Sequence, residues 1–339
     1  MKSIKRILIL LLLLAVTAGG GTAYLVYRTF LIPTGRITQP IIVVVNEGDT
    51  LSKAAEELKK RGAILDERLF VTAARYLGAE RLIRTGEYKI DSTMSPKDIL
   101  VMLMKGRIVQ YPVTVPEGLN IYQVSDLLAE KGFVDVQEFL RLTKDDRFIE
   151  SLGVDALTLE GYLFPDTYHV SKGMREQEII TLMVRRYFEV FNEEKEKSRI
   201  PNELTDYETL ILASMIEKET GTPQERPLVS AVFRNRLGKE MKLDSCATVI
   251  YGIWDRFDGN LTQEDLSTWT AYNTYMNPGL PPGPICNPGR ESITAAITPA
   301  DADYLYFVSK NDGTSYFSST LSEHNRAVYE YQILRKNRK

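Results

Sequence analysis

An internal repeat is the feature that most limits how the first half of this chain can fold. Residues 43–48 (VVVNEG) match residues 113–118 (VTVPEG) at an offset of 70 positions, and in both copies a helix-like segment follows and ends at a glycine. A second match, at an offset of 80 positions, relates residues 88–90 (YKI) to residues 168–170 (YHV). Alternating apolar residues predict a strand, and the amphipathic segment after the Glu-Gly turn predicts a helix. The repeat therefore predicts two small α/β modules in succession.

The N-terminal segment combines basic residues with an apolar stretch. Three basic residues among the first six precede a mainly apolar run over residues 7–26. About 20 apolar residues suffice to span a bilayer, and flanking positive charge stays in the cytoplasm. We therefore expect a cytoplasmic N-terminus with a single-pass anchor over residues 1–27, a stalk over 28–40, and export of everything that follows. A cleaved signal peptide is the alternative, because residues 16–18 (VTA) fit a signal-peptidase site.

The bulk composition excludes several functional classes. A length of 339 residues, with 44% apolar and 26% charged residues, is that of an ordinary globular protein with two or three domains. The net charge of −3 argues against nucleic acid as the main partner. His169 and His324 are the only histidines, and Cys246 and Cys286 the only cysteines, so we expect no metal and no cofactor. Both cysteines would be exported, which leads us to predict a disulfide between them.

The last region predicts a mainly helical domain with a small antiparallel sheet. Residues 205–208 and 222–225 have the pattern of capping boxes, each of which should open a helix. Two strand-like segments flank Asn311-Asp312-Gly313, which is a hairpin signature. A long charged helix over residues 176–198 precedes this region, and a final helix is expected from about Ser322 to Arg335. Together with the repeat, these elements predict an α+β fold.

One apolar helix ends in a glutamate. Residues 210–216 are apolar on every helix face except at Ser214, so this helix should be buried. Glu217 follows in the last turn, where burial and the exposed carbonyl groups both disfavour a carboxylate. A carboxylic acid that keeps its proton near neutral pH suits general-acid catalysis. The alternative is a structural glutamate at a helix end, in a salt bridge with Lys218 or an arginine. Glu219 should point to nearly the opposite face. It could support the site from its flank, but we expect a salt bridge.

Further candidates for chemistry are few. Asp244 could act as a second carboxylate across a sugar cleft or could be a surface turn residue. Residues 270–275 (TAYNTY) bring together hydroxyls, an amide and aromatic rings, which can stack on sugars and bond their polar groups. The alternative for this segment is a structural loop with buried tyrosines. A nucleophile pair of His324 with either cysteine is disfavoured, because no glycine-rich nucleophile turn surrounds Cys246 or Cys286.

Several motifs in register resemble those of the MltG (YceG-like) endolytic murein transglycosylases. They are residues 160–168 (EGYLFPDTY), 212–220 (LASMIEKET), 232–237 (VFRNRL), 248–252 (TVIYG), 271–275 (AYNTY) and 279–283 (GLPPG). The resemblance implies a membrane-anchored enzyme with a catalytic domain over residues 201–339, preceded by a LysM-like module over 41–110 and a second module over 111–200. A structural spacer is the alternative for the LysM-like region. The chain departs from the family at Cys246, where many members have an aspartate.

The family resemblance also implies an activity and a site. Such enzymes are lyases that cut nascent glycan strands between N-acetylmuramic acid and N-acetylglucosamine and leave 1,6-anhydro ends, and their catalytic glutamate falls on Glu217. The candidate substrate-binding residues are Ser214, Asn235, Thr248, Tyr272, Asn273 and Tyr275. The expected partners are peptidoglycan strands, the cytoplasmic (inner) membrane and peptidoglycan synthases. The alternatives are a muramidase that uses Glu217 and Asp244, or a non-catalytic scaffold that binds the cell wall.

Overall fold

A computed structural model describes residues 19–21, 23–46, 48–79, 83–198 and 203–334. The chain divides into two compact units, Met1–Tyr111 with His169–Met174, and Pro112–Tyr168 with Arg175–Lys339. The expected anchor over residues 1–27 falls largely on residues 1–18, which lie outside the described part of the chain. Within the described ranges, no helix is both long and apolar enough to cross a membrane.

The described part of the first unit includes a two-stranded sheet and three α-helices, after a π-helical segment over Tyr27–Leu31. Its elements are β1 (Ile41–Val45), α1 (Leu51–Lys60), α2 (Glu67–Tyr76), β2 (Gly86–Ile90) and α3 (Pro96–Lys105). β1 and β2 are antiparallel, with Ile41 opposite Ile90. Val43, Val45 and Tyr88 are buried while their neighbours along the strands are more exposed, so the period-two pattern selects the sheet face that joins the core. The likeness of this unit to a LysM module stays a prediction.

The same order of elements returns in the second copy of the repeat. Its elements are β3 (Tyr111–Thr114), α4 (Ile121–Glu130), α5 (Val136–Leu142), α6 (Asp146–Ser151), β4 (Thr167–Val170) and α7 (Glu176–Lys197). β3 pairs with β4, as β1 pairs with β2. Gly62 and Gly132 follow α1 and α4 with positive φ angles of 79° and 73°, a conformation that glycine adopts without steric cost. The predicted order of strand, turn and helix is confirmed in both copies.

The remaining elements are mainly helical, as predicted. They are α8 (Asp206–Glu219), α9 (Arg226–Gly238), α10 (Cys246–Gly252), α11 (Gln263–Ser267), α12 (Arg290–Ile297), β5 (Tyr306–Ser309), β6 (Ser315–Ser318) and α13 (Leu321–Val328). β5 and β6 form the predicted antiparallel hairpin around Asn311 and Gly313. The expected final helix is α13, which continues as a π-helical segment over Tyr329–Leu334.

Helix α8 is the buried element that the apolar run predicts. Every residue from Thr209 to Ile216 is buried, and the helix packs against α12 and α9. The capping box at Thr205 is confirmed, because its side chain and that of Glu208 bond each other's backbone N–H groups. The expected box at Thr222 is wrong: a short 3₁₀ turn replaces it, and the Glu225 carboxylate instead accepts a hydrogen bond of 2.8 Å from the backbone N–H of Ser315.

Gly161 is a position where both backbone and space require glycine. Its φ is +87°, and an added Cβ would lie 2.8 Å from Pro284. We expect Gly161→Ala to destabilise the protein by about 1–2 kcal/mol through the left-handed backbone and by about 1–3 kcal/mol more through overpacking. Gly153→Ala is the matched control, because Gly153 has a φ of +76° but open space around it. Denaturant unfolding measures both, and equal losses would show that the Pro284 contact is relieved at no cost.

Candidate active site

A cavity of about 430 Å³ lies in the second unit at the C-terminal end of α8. This volume falls within the range of small-ligand sites. The lining residues are Gly118, Asn120 and Gln123 from the α4 segment, Lys218 and Glu219 from α8, Cys246, Ala247, Ile250, Tyr251, Trp254 and Phe257 from α10 and the turn after it, and Ile285. Three of them are aromatic, and aromatic faces can stack on sugar rings.

Glu219 is the one carboxylic acid among the residues that line the cavity. Burial raises the pKa of its carboxyl group, although the Ser245 hydroxyl and the charge of Arg236 partly oppose this. The Oγ atom of Ser245 donates a hydrogen bond to Oε1 of Glu219. The expected salt bridge is not formed, since no basic side chain among the described residues forms an ion pair with Glu219. A carboxylic acid with a raised pKa beside a cavity is the arrangement that general-acid catalysis requires.

A buried hydroxyl network holds Ser245 in place. The backbone N–H of Ser245 donates to Oγ1 of Thr274 over 3.0 Å, and Oγ1 of Thr248 donates to the Ser245 carbonyl over 2.8 Å. The two threonine hydroxyls also share a hydrogen bond of 2.8 Å. Sequence reasoning selected Thr248 but not Ser245, because no local pattern shows that a serine 26 positions after Glu219 will reach its carboxyl group.

Glu217 has the surroundings of a structural carboxylate. Its side chain is only 7% exposed, as predicted, but it pairs with Arg226, whose Nη2 lies 3.4 Å from Oε1. Its Oε2 accepts a hydrogen bond of 2.9 Å from the backbone N–H of Gly289. Arg226 also pairs with Glu291 and lies 3.8 Å from Glu117. Burial raises the pKa of Glu117, and the nearby charge of Glu217 adds to this effect. Both carboxyl oxygens of Glu217 therefore have partners within the protein, Arg226 at Oε1 and the backbone N–H of Gly289 at Oε2.

Ser214, Asn235 and Asn273, three of the candidate substrate-binding residues, hold backbone groups in place through their side chains. The Ser214 hydroxyl accepts from the N–H of Ile285 over 3.0 Å, which fixes a lining residue on α8. The Asn235 amide donates to the carbonyl groups of residues 302 and 304, and that of Asn273 to those of residues 266 and 268. These bonds give the three side chains a structural role, and their contact with sugar stays a prediction.

Of the other three candidates, Tyr272 and Tyr275 each contact a residue that lines the cavity. Thr248 is buried in the hydroxyl network described above. The ring of Tyr272 packs against that of Tyr251, with centroids 4.7 Å apart. The hydroxyl of Tyr275 lies 3.2 Å from Sγ of Cys246. The two tyrosines therefore support lining residues, whereas Thr248 supports Ser245, and direct sugar binding by these three side chains also stays a prediction.

Asp244 has the geometry of a surface turn residue. Its side chain is 43% exposed and pairs with Nη1 of Arg236 over 3.1 Å. Its φ is +51°, and it is not among the lining residues of the cavity. The geometry therefore offers Asp244 little access to a substrate that Glu219 would protonate.

The predicted disulfide is wrong, because both cysteines are free thiols. Cys286 is buried and its Sγ donates to the carbonyl of Ser214 over 3.3 Å, whereas Cys246 is exposed beside Tyr275. The pairing of a thiol with His324, which the sequence disfavours, is not seen either, because each thiol has a different partner. Because Cys286 is buried against α8, its thiol is not accessible to Cys246.

We expect a thiol reagent to label one cysteine in the folded protein and both after unfolding. Cys246 is exposed, whereas burial raises the pKa of the Cys286 thiol well above its usual value, so little reactive thiolate forms. Mass spectrometry of labelled protein would locate the first adduct. If neither cysteine is labelled in unfolded, unreduced protein, the two cysteines form a disulfide after all.

The chain is similar to known proteins along most of its length. A model of the YceG-like family matches residues 43–330. An endolytic murein transglycosylase of Bacillus subtilis (strain 168) is 32% identical, over 94% of this chain and 92% of that protein. An endolytic murein transglycosylase of Streptococcus pneumoniae serotype 2 is 29% identical, over 95% of this chain but 64% of that protein. The crystal structure of a YceG-like protein from Listeria monocytogenes superposes with a TM-score of 0.56 at 30% identity, over 85% of this chain and 99% of that one.

Proposed function

The chain belongs to the YceG-like family, and on that basis we propose that it is an endolytic lytic transglycosylase of peptidoglycan. It cleaves nascent glycan strands between N-acetylmuramic acid and N-acetylglucosamine and leaves 1,6-anhydro ends, which ends strand elongation. The observation that carries the proposal is a single carboxylic acid, Glu219, that lines a cavity with aromatic walls and has a raised pKa.

Glu219, rather than Glu217, is the proposed catalytic acid and base. Protonated Glu219 donates its proton to the glycosidic oxygen as the bond from the muramic C1 to that oxygen breaks. The resulting carboxylate then accepts the proton of the muramic 6-hydroxyl, whose oxygen forms a new bond to C1. One residue returns to its starting state and no water is consumed. The Ser245 hydroxyl bond to Oε1 orients the carboxyl group and stabilises its charged form between the two steps.

The aromatic part of the lining suits a glycan strand. Tyr251, Trp254 and Phe257 follow one another along α10 and the next turn. Tyr122 extends this surface, because its ring lies nearly parallel to that of Trp254, with centroids 6.3 Å apart. Flat apolar faces of sugar rings pack on such surfaces, while the amide groups of Asn120 and Gln123 can bond their hydroxyl and N-acetyl groups.

The identity of the product tests the proposal. Mass spectrometry of purified glycan strands after digestion should find 1,6-anhydromuramic ends, which are lighter by one water than reducing ends. Reducing ends would support the muramidase alternative and a role for Asp244. Binding without any cleavage by folded protein would support the scaffold alternative.

We also propose that residues 1–27 anchor the chain in the cytoplasmic membrane, with the cavity on the outer side. The support is the basic and apolar N-terminal sequence and the extracytoplasmic location of the proposed substrate. Peptidoglycan synthases are the proposed partners, since they produce the strands that the cavity would bind. N-terminal sequencing of the mature protein tests the anchor, and a start at Gly19 would contradict it without contradicting export.

A further inference from the structure

A buried polar network next to the cavity has no role in the proposed chemistry. Glu160 and Asn287 are 1% and 0% exposed. The side-chain amide of Asn287 donates a hydrogen bond of 2.8 Å to the Leu119 carbonyl and accepts one of 2.8 Å from the backbone N–H of Leu163. The Nδ2 atom of Asn287 also lies 3.4 Å from Oε1 of Glu160. These bonds join chain segments that lie more than a hundred positions apart in sequence.

Glu160 connects two of the segments that line the cavity. Its Oε2 accepts a hydrogen bond of 3.0 Å from the Tyr251 hydroxyl and one of 3.2 Å from the backbone N–H of Ile121. Tyr251 lines the cavity from α10, and Ile121 begins α4, next to the lining residues Asn120 and Gln123. Oε2 of Glu160 therefore bonds both the α4 segment and the α10 segment.

Burying the carboxyl group of Glu160 costs free energy of folding. Burial raises the pKa of Glu160 to about 8, although the hydrogen bonds from Ile121 and Tyr251 oppose this. Within the described ranges, no basic side chain forms an ion pair with it. An apolar side chain would avoid the cost of a buried polar group but could not bond Tyr251 and Ile121 together. The free energy that this burial costs indicates that the hydrogen bonds from Tyr251 and Ile121 to Glu160 serve a function.

We infer that Glu160 is a positioning residue for the transglycosylase reaction, which sets the spacing of the α4 and α10 segments and holds Tyr251 against the bound sugar. The inference rests on the proposed function, because it names the substrate that the spacing fits. Glu160 touches neither substrate nor reacting atoms and acts through Tyr251. Its loss should therefore impair strand binding more than the chemical step.

A double-mutant cycle tests the connection to Tyr251. We expect Glu160→Leu and Tyr251→Phe each to raise KM for purified strands about tenfold, the effect of about one lost hydrogen bond, with a smaller change in kcat. Glu160→Gln keeps an acceptor for both donors and should stay close to wild type. The double variant should be no worse than the poorer single variant, because both lose the same connection. Additive losses, or a wild-type KM for folded Tyr251→Phe, would overturn the inference.

The pH dependence gives a readout that packing alone would not change. The titratable groups that face Glu160 are Lys144, Tyr251, Tyr272 and Cys286. As pH rises through about 8, Glu160 ionises in a buried place, and we expect KM to rise for the wild type but to stay level for Glu160→Gln. Parallel profiles for the two proteins would contradict the inference.

A binding assay separates this inference from the proposed function. Strand affinity can be measured by calorimetry in a Glu219→Gln background, where no turnover is expected, with and without Glu160→Leu. A tenfold weaker affinity supports positioning even if the products are not those proposed, and equal affinity overturns it. Glu225→Leu is the matched control, because Glu225 is also buried and bonds a backbone N–H but lies outside the cavity lining. It should lower stability and leave strand affinity unchanged.

Discussion

Glu219→Gln is expected to lower the rate of strand cleavage by about 10²–10⁴-fold, the usual contribution of a general acid and base. Glutamine keeps the shape of the side chain and can accept the Ser245 hydrogen bond, but it has no acidic proton to give. Glu217→Gln is the matched control in the same helix, and should retain most activity because its partners are Arg226 and Gly289. Measured turnover of purified strands decides between them. A folded, active Glu219→Gln protein beside an inactive Glu217→Gln protein would return the catalytic role to Glu217.

The raised pKa of Glu219 has consequences for pH dependence. The first step needs the protonated acid, so cleavage should decline as pH rises through the folded pKa of Glu219. The same shift affects stability, because the folded state holds this proton more tightly than the unfolded chain. The contribution of this proton to the free energy of unfolding is complete below the carboxyl pKa of the unfolded chain, about 4.3. It is lost as pH rises through the raised pKa of Glu219 in the folded protein. Glu219→Gln should therefore be at least as stable as wild type at neutral pH, and thermal unfolding beside the activity assay would separate lost chemistry from lost folding.

Arg226→Leu should destabilise the protein by about 3–5 kcal/mol, the usual cost of removing one partner of a buried ion pair. The guanidinium is only 7% exposed, pairs with Glu217 and Glu291, and lies near Glu117. Without it, the buried carboxyl group of Glu217 has no cationic partner among the described residues. Denaturant unfolding at neutral pH measures the loss.

Two controls test the explanation for Arg226. The double variant Arg226→Leu/Glu217→Leu should recover part of the stability, since it removes both buried charges and leaves apolar surface. Arg141→Leu, which breaks an exposed pair with Glu138, should leave the unfolding midpoint close to that of wild type. If the double variant is less stable than Arg226→Leu by the full cost of losing Glu217, the two charges are not coupled.

Local patterns in the sequence were enough to predict much of the fold. The alternating apolar residues of β1, the capping box at Thr205 and the turn at Asn311–Gly313 each depend on residues a few positions apart. The repeat likewise predicted the element order of both copies, because each copy carries its own strand, turn and helix signals. Motifs in register along the chain predicted the YceG-like family, which the match over residues 43–330 confirms.

Only the tertiary structure shows that the two glutamates at the end of α8 have different partners. Helical periodicity correctly predicts a buried side chain at Glu217, but burial by itself does not decide whether a carboxyl group is paired or faces a cavity. Arg226 at the start of α9 and Gly289 just before α12 contact Glu217, whereas Ser245 bonds Glu219 and aromatic residues line the same cavity as Glu219. The same limit explains why the predicted disulfide was wrong. The sequence shows that the chain has two cysteines, but not that Cys286 is buried while Cys246 is exposed. The sequence by itself therefore determined the elements and the family, while the charge, partners and solvent access of each acidic or thiol side chain depend on residues that only folding brings together.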